Sequence, residues 1–231
     1  MSSLRELHEG PPFVIPNPWD AGSAKVLESL GFPALATTSS GFAFTLGKKD
    51  GEATLDEVVE HVRAITAAVS IPLSVDLENG YGPPDVAIRR VAEAGAEGGS
   101  IEDWDRQGTR IYERAEAVER VHEAVEAAPP DFVVTARAEN HVHGIDDLAD
   151  TIARLQAYEA VGAHCLYAPG LRTTEEIRTV CDAVSKPVNV LLRPALTVQE
   201  IFAAGAQRVS TGGALTWVAR DALVEAATAL R

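Results

Sequence analysis

Eight times along these 231 residues a short apolar, β-prone run gives way to a polar turn and then to helix-period sequence. That alternation constrains the fold more than any other feature. Strands are expected at 13–16, 34–38, 73–77, 99–102, 132–137, 164–168, 188–192 and 208–211. Helix-period stretches fall at 55–69, 85–94, 115–127, 146–161, 174–183 and 198–204, with a last helix from 215 to about 230. Thr54, Thr173 and Thr197 stand at N-cap positions. Ala94-Gly95-Ala96, Val161-Gly162-Ala163 and Ala204-Gly205-Ala206 repeat one helix-to-strand device, with glycine closing each helix. Eight strand–helix units predict a (β/α)8 barrel, with residues 1–231 forming one domain. The rival, a doubly wound open sheet, would carry a Gly-rich phosphate fingerprint after its first strand, and none is present.

The net charge of −14 argues against nucleic acid as a partner, since such a chain repels a phosphate backbone. The same field repels anionic substrates, so a site for one must reverse the charge locally with a metal or with arginine. The N-terminal Met-Ser-Ser-Leu-Arg-Glu has no apolar signal core, and no run approaches membrane-spanning length. A cytoplasmic protein with no membrane partner is expected. Cys165 and Cys181 match no metal or redox spacing and read as reduced packing residues.

Four polar segments fall where the predicted strands end: Thr38-Ser39-Ser40-Gly41, Asp76-Leu77-Glu78-Asn79, Ile101-Glu102-Asp103 and Ala136-Arg137-Ala138-Glu139. In a barrel these positions open on one face, where active sites are built. Asp76 and Glu78, two apart, should point the same way on an extended strand, with Glu102 supplying a third oxygen. Oxygen ligands without a His/Cys cluster suit Mg2+; the alternative is that these acids cap helices or solvate loops. Arg137 ends a buried strand, where it could clamp a substrate carboxylate or pair with Glu139 or Glu102. Ser40-Gly41 could offer backbone N–H groups to an anion. His141 and His143 read as loop histidines, and Trp19 and Trp104 as packing residues or walls of a cavity.

The chain resembles the isocitrate lyase/phosphoenolpyruvate mutase superfamily over nearly its whole length. The resemblance lies in Asn17-Pro-Trp-Asp-Ala-Gly-Ser-Ala24, Thr38-Ser-Ser-Gly41, Leu46-Gly-Lys-Lys-Asp50, Val75-Asp-Leu-Glu-Asn-Gly-Tyr-Gly82 and Ser100-Ile-Glu-Asp103. Further on come Ala136-Arg-Ala-Glu139, Pro187-Val-Asn-Val190 and Val209-Ser-Thr-Gly212. It implies a barrel that binds Mg2+ and a small 2-oxo or 2-hydroxy acid, and that makes or breaks a C–C or P–C bond through a metal-stabilised enolate. Carried over by position, Asp76, Glu78 and Glu102 form the metal shell and Asp50 is a further carboxylate nearby. Ser40 and Gly41 hold the substrate through backbone amides, while Arg137 and Asn189 bind its oxygens. Asp50, Glu102 and Arg137 are thus the expected catalytic residues.

Two departures from the family's pattern matter. Glu78 stands where many members carry aspartate. The segment Asp103-Trp-Asp-Arg-Gln-Gly-Thr-Arg-Ile-Tyr112 lacks the Lys, Cys, His or Asn of the usual catalytic loop, and its Arg106, Arg110 and Tyr112 read as surface residues. Isocitrate and methylisocitrate cleavage and phosphonomutase transfer are therefore not expected. The leading expectation is a Mg2+-dependent lyase-type enzyme. A C–C or P–C bond hydrolase and a non-catalytic oxo-acid binding protein are the alternatives. The resemblance also implies a homo-oligomer, in some members with exchanged last helices.

Overall fold

The computed structural model describes residues 2–231. In chain order the elements are α1 (Leu4–Glu9), β1 (Phe13–Ile15), α2 (Ala21–Ser29), β2 (Leu35–Ala36), α3 (Ser39–Thr45), α4 (Leu55–Thr66), β3 (Leu73–Asp76), α5 (Pro84–Glu93) and β4 (Gly98–Glu102). There follow β5 (Trp104–Asp105), β6 (Arg110–Ile111), α6 (Arg114–Ala127), β7 (Val133–Arg137), α7 (Leu148–Ala160), β8 (Cys165–Tyr167), α8 (Thr174–Ala183), β9 (Val188–Leu191), α9 (Val198–Ala203), β10 (Arg208–Ser210) and α10 (Ala214–Thr228).

Eight parallel strands pair in the order β1-β10-β9-β8-β7-β4-β3-β2. Ala36 N–H donates to Pro16 O at 3.1 Å across the remaining seam, so the barrel is nearly closed. Among the described residues no topological switch point exists, which removes the doubly wound alternative. The alternation seen in the sequence becomes structure through local devices. Thr54, Thr173 and Thr197 each accept from the backbone of a glutamate three residues on, and that glutamate bonds back, closing a capping box. Val58, Val62 and Ile65 of α4 recur at helical spacing and bury one face against the sheet. Gly95, Gly162 and Gly205 turn the chain back with φ of +97°, +99° and +107°, a region that costs other residues energy.

Helices α1 and α3 and the hairpin after Glu102 are additions to the eight strand–helix units. Helix α1 plugs the barrel floor: Leu4 packs with Phe13, Ile15, Ala34, Val133 and Cys165. Gly98 makes room for it, since a Cβ there would stand 2.6 Å from Leu4 Cδ2. After Glu102 the chain forms an antiparallel hairpin, β5–β6, before entering α6. Among the described residues, no helix is long and apolar enough to cross a membrane. Cys165 and Cys181 are both free.

Strand tilt places one continuous row of Cα partners on a climbing path around the barrel. It runs from Arg208 to Asn189, Tyr167, Arg137 and Glu102, from the start of β10 to the ends of β7 and β4. This row carries the polar chemistry from floor to mouth.

Candidate active site

A cavity of about 210 Å³ opens at the C-terminal ends of the strands and reaches down into the barrel. Asp50, Asp76, Arg137, Tyr167 and Asn189 line it. Arg137 stands at its centre and meets three carboxylates: Asp76 Oδ1 at 2.8 Å, Glu102 Oε2 at 3.2 Å and Glu139 Oε1 at 2.9 Å. The ion-pair alternative for Arg137 is thus realised with both expected partners and with Asp76 as well. Tyr167 lies beneath, its ring centroid 5.3 Å from the guanidinium carbon.

The electrostatics follow from burial. Glu102 is 6% exposed, and burial pushes its carboxyl well above the usual range, against the pull of Arg137 and with Glu139 and Asp76 adding to the push. Burial also raises Glu139. For Arg137 burial works against the charge, yet Glu139, Asp76 and Glu102 outweigh it and hold the group well above its ordinary value. Asp76 is further fixed by Ser39 N–H, which donates to Oδ2 at 3.1 Å.

Glu78 corrects the expectation that it points with Asp76. Strand β3 ends at Asp76, and Glu78 takes φ +49°, which breaks the two-residue alternation. Its side chain lines a neighbouring groove instead of the cavity. There it accepts from Tyr81 Oη at 2.7 Å and pairs with Arg106 Nε at 2.6 Å, although the Nε–H is not aligned as a hydrogen bond. Burial raises its pKa, partly offset by Arg106.

Arg106 is therefore no free surface residue. From the hairpin turn it reaches both Glu78 and Asp50, whose Oδ2 lies 3.5 Å away. Tyr112 is buried. Arg110 remains on the outside and pairs with Glu116 at 3.1 Å. Trp104 stacks on His143 with centroids 3.4 Å apart and walls the hairpin, not the cavity. His141 bonds to Thr151 at 3.2 Å.

The expected nest at Ser40-Gly41 is a helix start. Ser40 lines the cavity, whereas Gly41 N–H, 3.4 Å from Thr38 Oγ1, is aimed at that capping hydroxyl. A Cβ on Gly41 would stand 2.5 Å from Thr216 Oγ1, so this glycine is required for close packing of α10 on α3. Asn189 is engaged at both ends: its Nδ2 donates to Ser210 Oγ at 3.0 Å and its Oδ1 accepts from Arg208 Nε at 2.8 Å. Four residues not among the expected ones belong to the site: Glu139 pairs with Arg137, and Asn17, Tyr167 and Arg208 line the cavity. Glu139 had a visible signal, since it repeats after Arg137 the two-residue spacing of Asp76 and Glu78.

Below the mouth, Asp103 anchors the frame. It accepts from Tyr158 Oη at 2.7 Å, from Glu139 N–H at 2.8 Å and from Arg154 at 3.1 Å. Burial nevertheless raises its pKa.

Among the described residues no three His, Cys, Asp or Glu side chains form a ready-made metal cage. The donor set still fits a hard divalent cation. Asp50, Asp76, Glu78, Glu102 and Glu139 face only two guanidinia, Arg106 and Arg137. Mg2+ keeps several waters and asks for one or two carboxylates. Asp76 lines the cavity directly, as does Asp50, and Glu102 shares Arg137 with Asp76.

Known proteins share this architecture. A Burkholderia cenocepacia J2315 protein described provisionally as a lyase/mutase superposes with a TM-score of 0.94 at 49% identity, covering 98% of this chain and 86% of that one. A phosphonopyruvate hydrolase solved with oxalate and Mg++ gives 0.88 at 25% identity, covering 96% and 83%. The 2-methylisocitrate lyase of Escherichia coli K12 is 32% identical over 77% of this chain and 64% of its own length. An oxaloacetate decarboxylase of Bradyrhizobium diazoefficiens is 32% identical over 80% and 68%. The family model described as phosphoenolpyruvate phosphomutase matches residues 4–231, and the chain belongs to that family.

Proposed function

We propose that this protein is a Mg2+-dependent carbon–carbon lyase acting on a small 2-oxo diacid, with decarboxylation of an oxaloacetate-like β-keto acid as its reaction. The observation that carries the reading is the cavity's lining, which holds Asp50, Asp76, Arg137, Tyr167 and Arg208 but no His, Cys or Lys. Cleaving a 2-hydroxy acid needs a base on the hydroxyl and a placed acid for the carbanion. Hydrolysis needs a base on water, and the two carboxylates lining the cavity are both paired, Asp76 with Arg137 and Asp50 with Arg106. Loss of CO2 from a β-keto acid needs neither to begin: the C–C electron pair passes into an enolate as CO2 leaves, and water then supplies the proton to that carbon.

Mg2+ would be held by Asp76, with Glu102 and Asp50, and would supply Lewis-acid stabilisation of the enolate charge. Arg137, fixed by three carboxylates, orients the acid's oxygens without reorganising. Asn189 is held by Arg208 with its NH2 as the donor. Tyr167, its pKa pushed by burial to about 12, stays protonated at neutral pH. Arg106, tying the hairpin to Glu78 and Asp50, closes one side of the mouth. The second half of α10 supports a homo-oligomer: residues 218–231 are all exposed, Val218, Leu223 and Val224 among them.

The test is NMR detection of products with Mg2+ and oxaloacetate, isocitrate, methylisocitrate, phosphoenolpyruvate or phosphonopyruvate. Pyruvate should form from oxaloacetate faster than with Mg2+ alone, and Asp76→Ala should remove the excess. Glyoxylate from isocitrate or interconversion of the two phospho acids, with oxaloacetate at the background rate, overturns the reading.

A further inference from the structure

The barrel floor holds a second buried guanidinium in surroundings opposite to those of Arg137. Arg208 opens β10 and is 4% exposed, yet it lines the cavity. Its partners are Asn189 Oδ1 at 2.8 Å, His8 Nε2 at 3.2 Å and Thr135 Oγ1 at 3.2 Å. None of them carries negative charge. His8 donates from Nδ1 to Leu4 O at 2.7 Å, which leaves Nε2 as an acceptor. Burial, reinforced by Arg208 itself, lowers the His8 pKa to about 3, so the ring is neutral. Among the described residues no carboxylate stands within ion-pair distance of Arg208.

A guanidinium has five N–H groups, and three neutral acceptors leave two unused. A buried cation without an opposite charge is costly, and the usual remedy is an anion. The walls around it suit one. Most barrel interiors are filled by Val, Ile and Leu, but here Ser74, Ser100, Asn189 and Ser210 line the space with Ile15. Among the described residues the Ser74 and Ser100 hydroxyls have no hydrogen-bond partner, and both residues face the cavity. Thr135 precedes Arg137 by two residues on β7, so its partner Arg208 lies about one side-chain layer below, roughly 6–7 Å along the strand.

We propose that the barrel floor is a binding site for a small monovalent anion, held by Arg208 together with the Ser74 and Ser100 hydroxyls. The ligand chemistry is a single carboxylate or an inorganic halide. The site lies in the same cavity, one layer below the mouth, where Arg208, unlike Arg137, has no carboxylate partner among the described residues.

Crystals of the full chain soaked in bromide, without divalent metal, provide the first test, with anomalous density expected against Arg208. Calorimetry with formate and with bromide, again without metal, provides the second. Loss of a charge-assisted contact should weaken binding about tenfold or more in Arg208→Gln. Ser100→Val keeps every Arg208 contact while removing a proposed donor and adding bulk beside it, and should weaken binding about tenfold or more in a protein whose circular dichroism matches the parent. Formate binding alone assigns the site to a carboxylate end, bromide alone to free halide, and mutual competition to both. Absence of both ligands from the floor, or unchanged affinity in a folded Ser100→Val protein, overturns the proposal.

Discussion

Arg137 and Arg208 are joined by one row of strand partners, yet among the described residues one stands beside three carboxylates and the other beside none. At the mouth, acids outnumber cations, and burial keeps Glu102 and Glu139 raised in spite of Arg137. That region asks for more positive charge, which is what a divalent ion brings. At the floor a cation is surrounded by neutral acceptors and asks for negative charge. The same residue type therefore reads in opposite ways, and its neighbours, not its identity, set the ligand.

The largest expected effect breaks the mouth. Arg137→Met leaves Glu102 and Glu139 buried without a cation, and stability at neutral pH should fall by about 3–5 kcal/mol in urea unfolding. Unpaired buried carboxyls keep their protons to higher pH than in the unfolded chain. The folded state then binds more protons, so the loss is greatest at neutral pH and shrinks as pH falls into the ordinary carboxylate range. Arg208→Met strands no carboxylate and should cost less. Equal losses in the two variants would erase the distinction between the two arginines.

Next in size is the pH dependence of ligand binding. A proton on the raised Glu102 competes with metal, and burial raises its neighbours Glu78 and Glu139 as well, so Mg2+ affinity should climb in calorimetry as pH rises from the ordinary carboxylate range towards neutrality. Anion affinity at the floor should barely move. The titratable groups near Arg208 are His8, lowered to about 3, and Cys165, which burial pushes up, and neither titrates in that window. A flat Mg2+ profile would mean that the acids at the mouth do not take up the metal.

The smallest effect concerns the hairpin. Arg106 is about one-third exposed but Glu78 is buried, so Arg106→Gln, which leaves Glu78 only its Tyr81 hydroxyl, should cost about 1–2 kcal/mol in thermal melts. Amide exchange in residues 104–111 should nevertheless quicken, since the ties to Glu78 and Asp50 are lost. A melt lowered by several kcal/mol, with exchange unchanged, would make Arg106 part of the core instead of a tie at the mouth.

The amino-acid sequence by itself determined the eight strands, the helices from α4 onward and the face on which the cavity opens. Each of these signals is local: apolar periodicity, threonine caps with a glutamate three residues on, and glycine after a helix. Asp76, Glu102 and Arg137 were legible for the same reason, as polar ends of apolar strands. Tertiary structure alone decided the rest. A left-handed turn at residue 78 sends Glu78 away from Asp76, which strand alternation does not reveal. Arg106 and Glu78 meet across 28 positions of sequence, and Arg208 and Thr135 across 73. Ring closure and strand tilt make those meetings, and charge pairing between distant residues has no local pattern from which to be read.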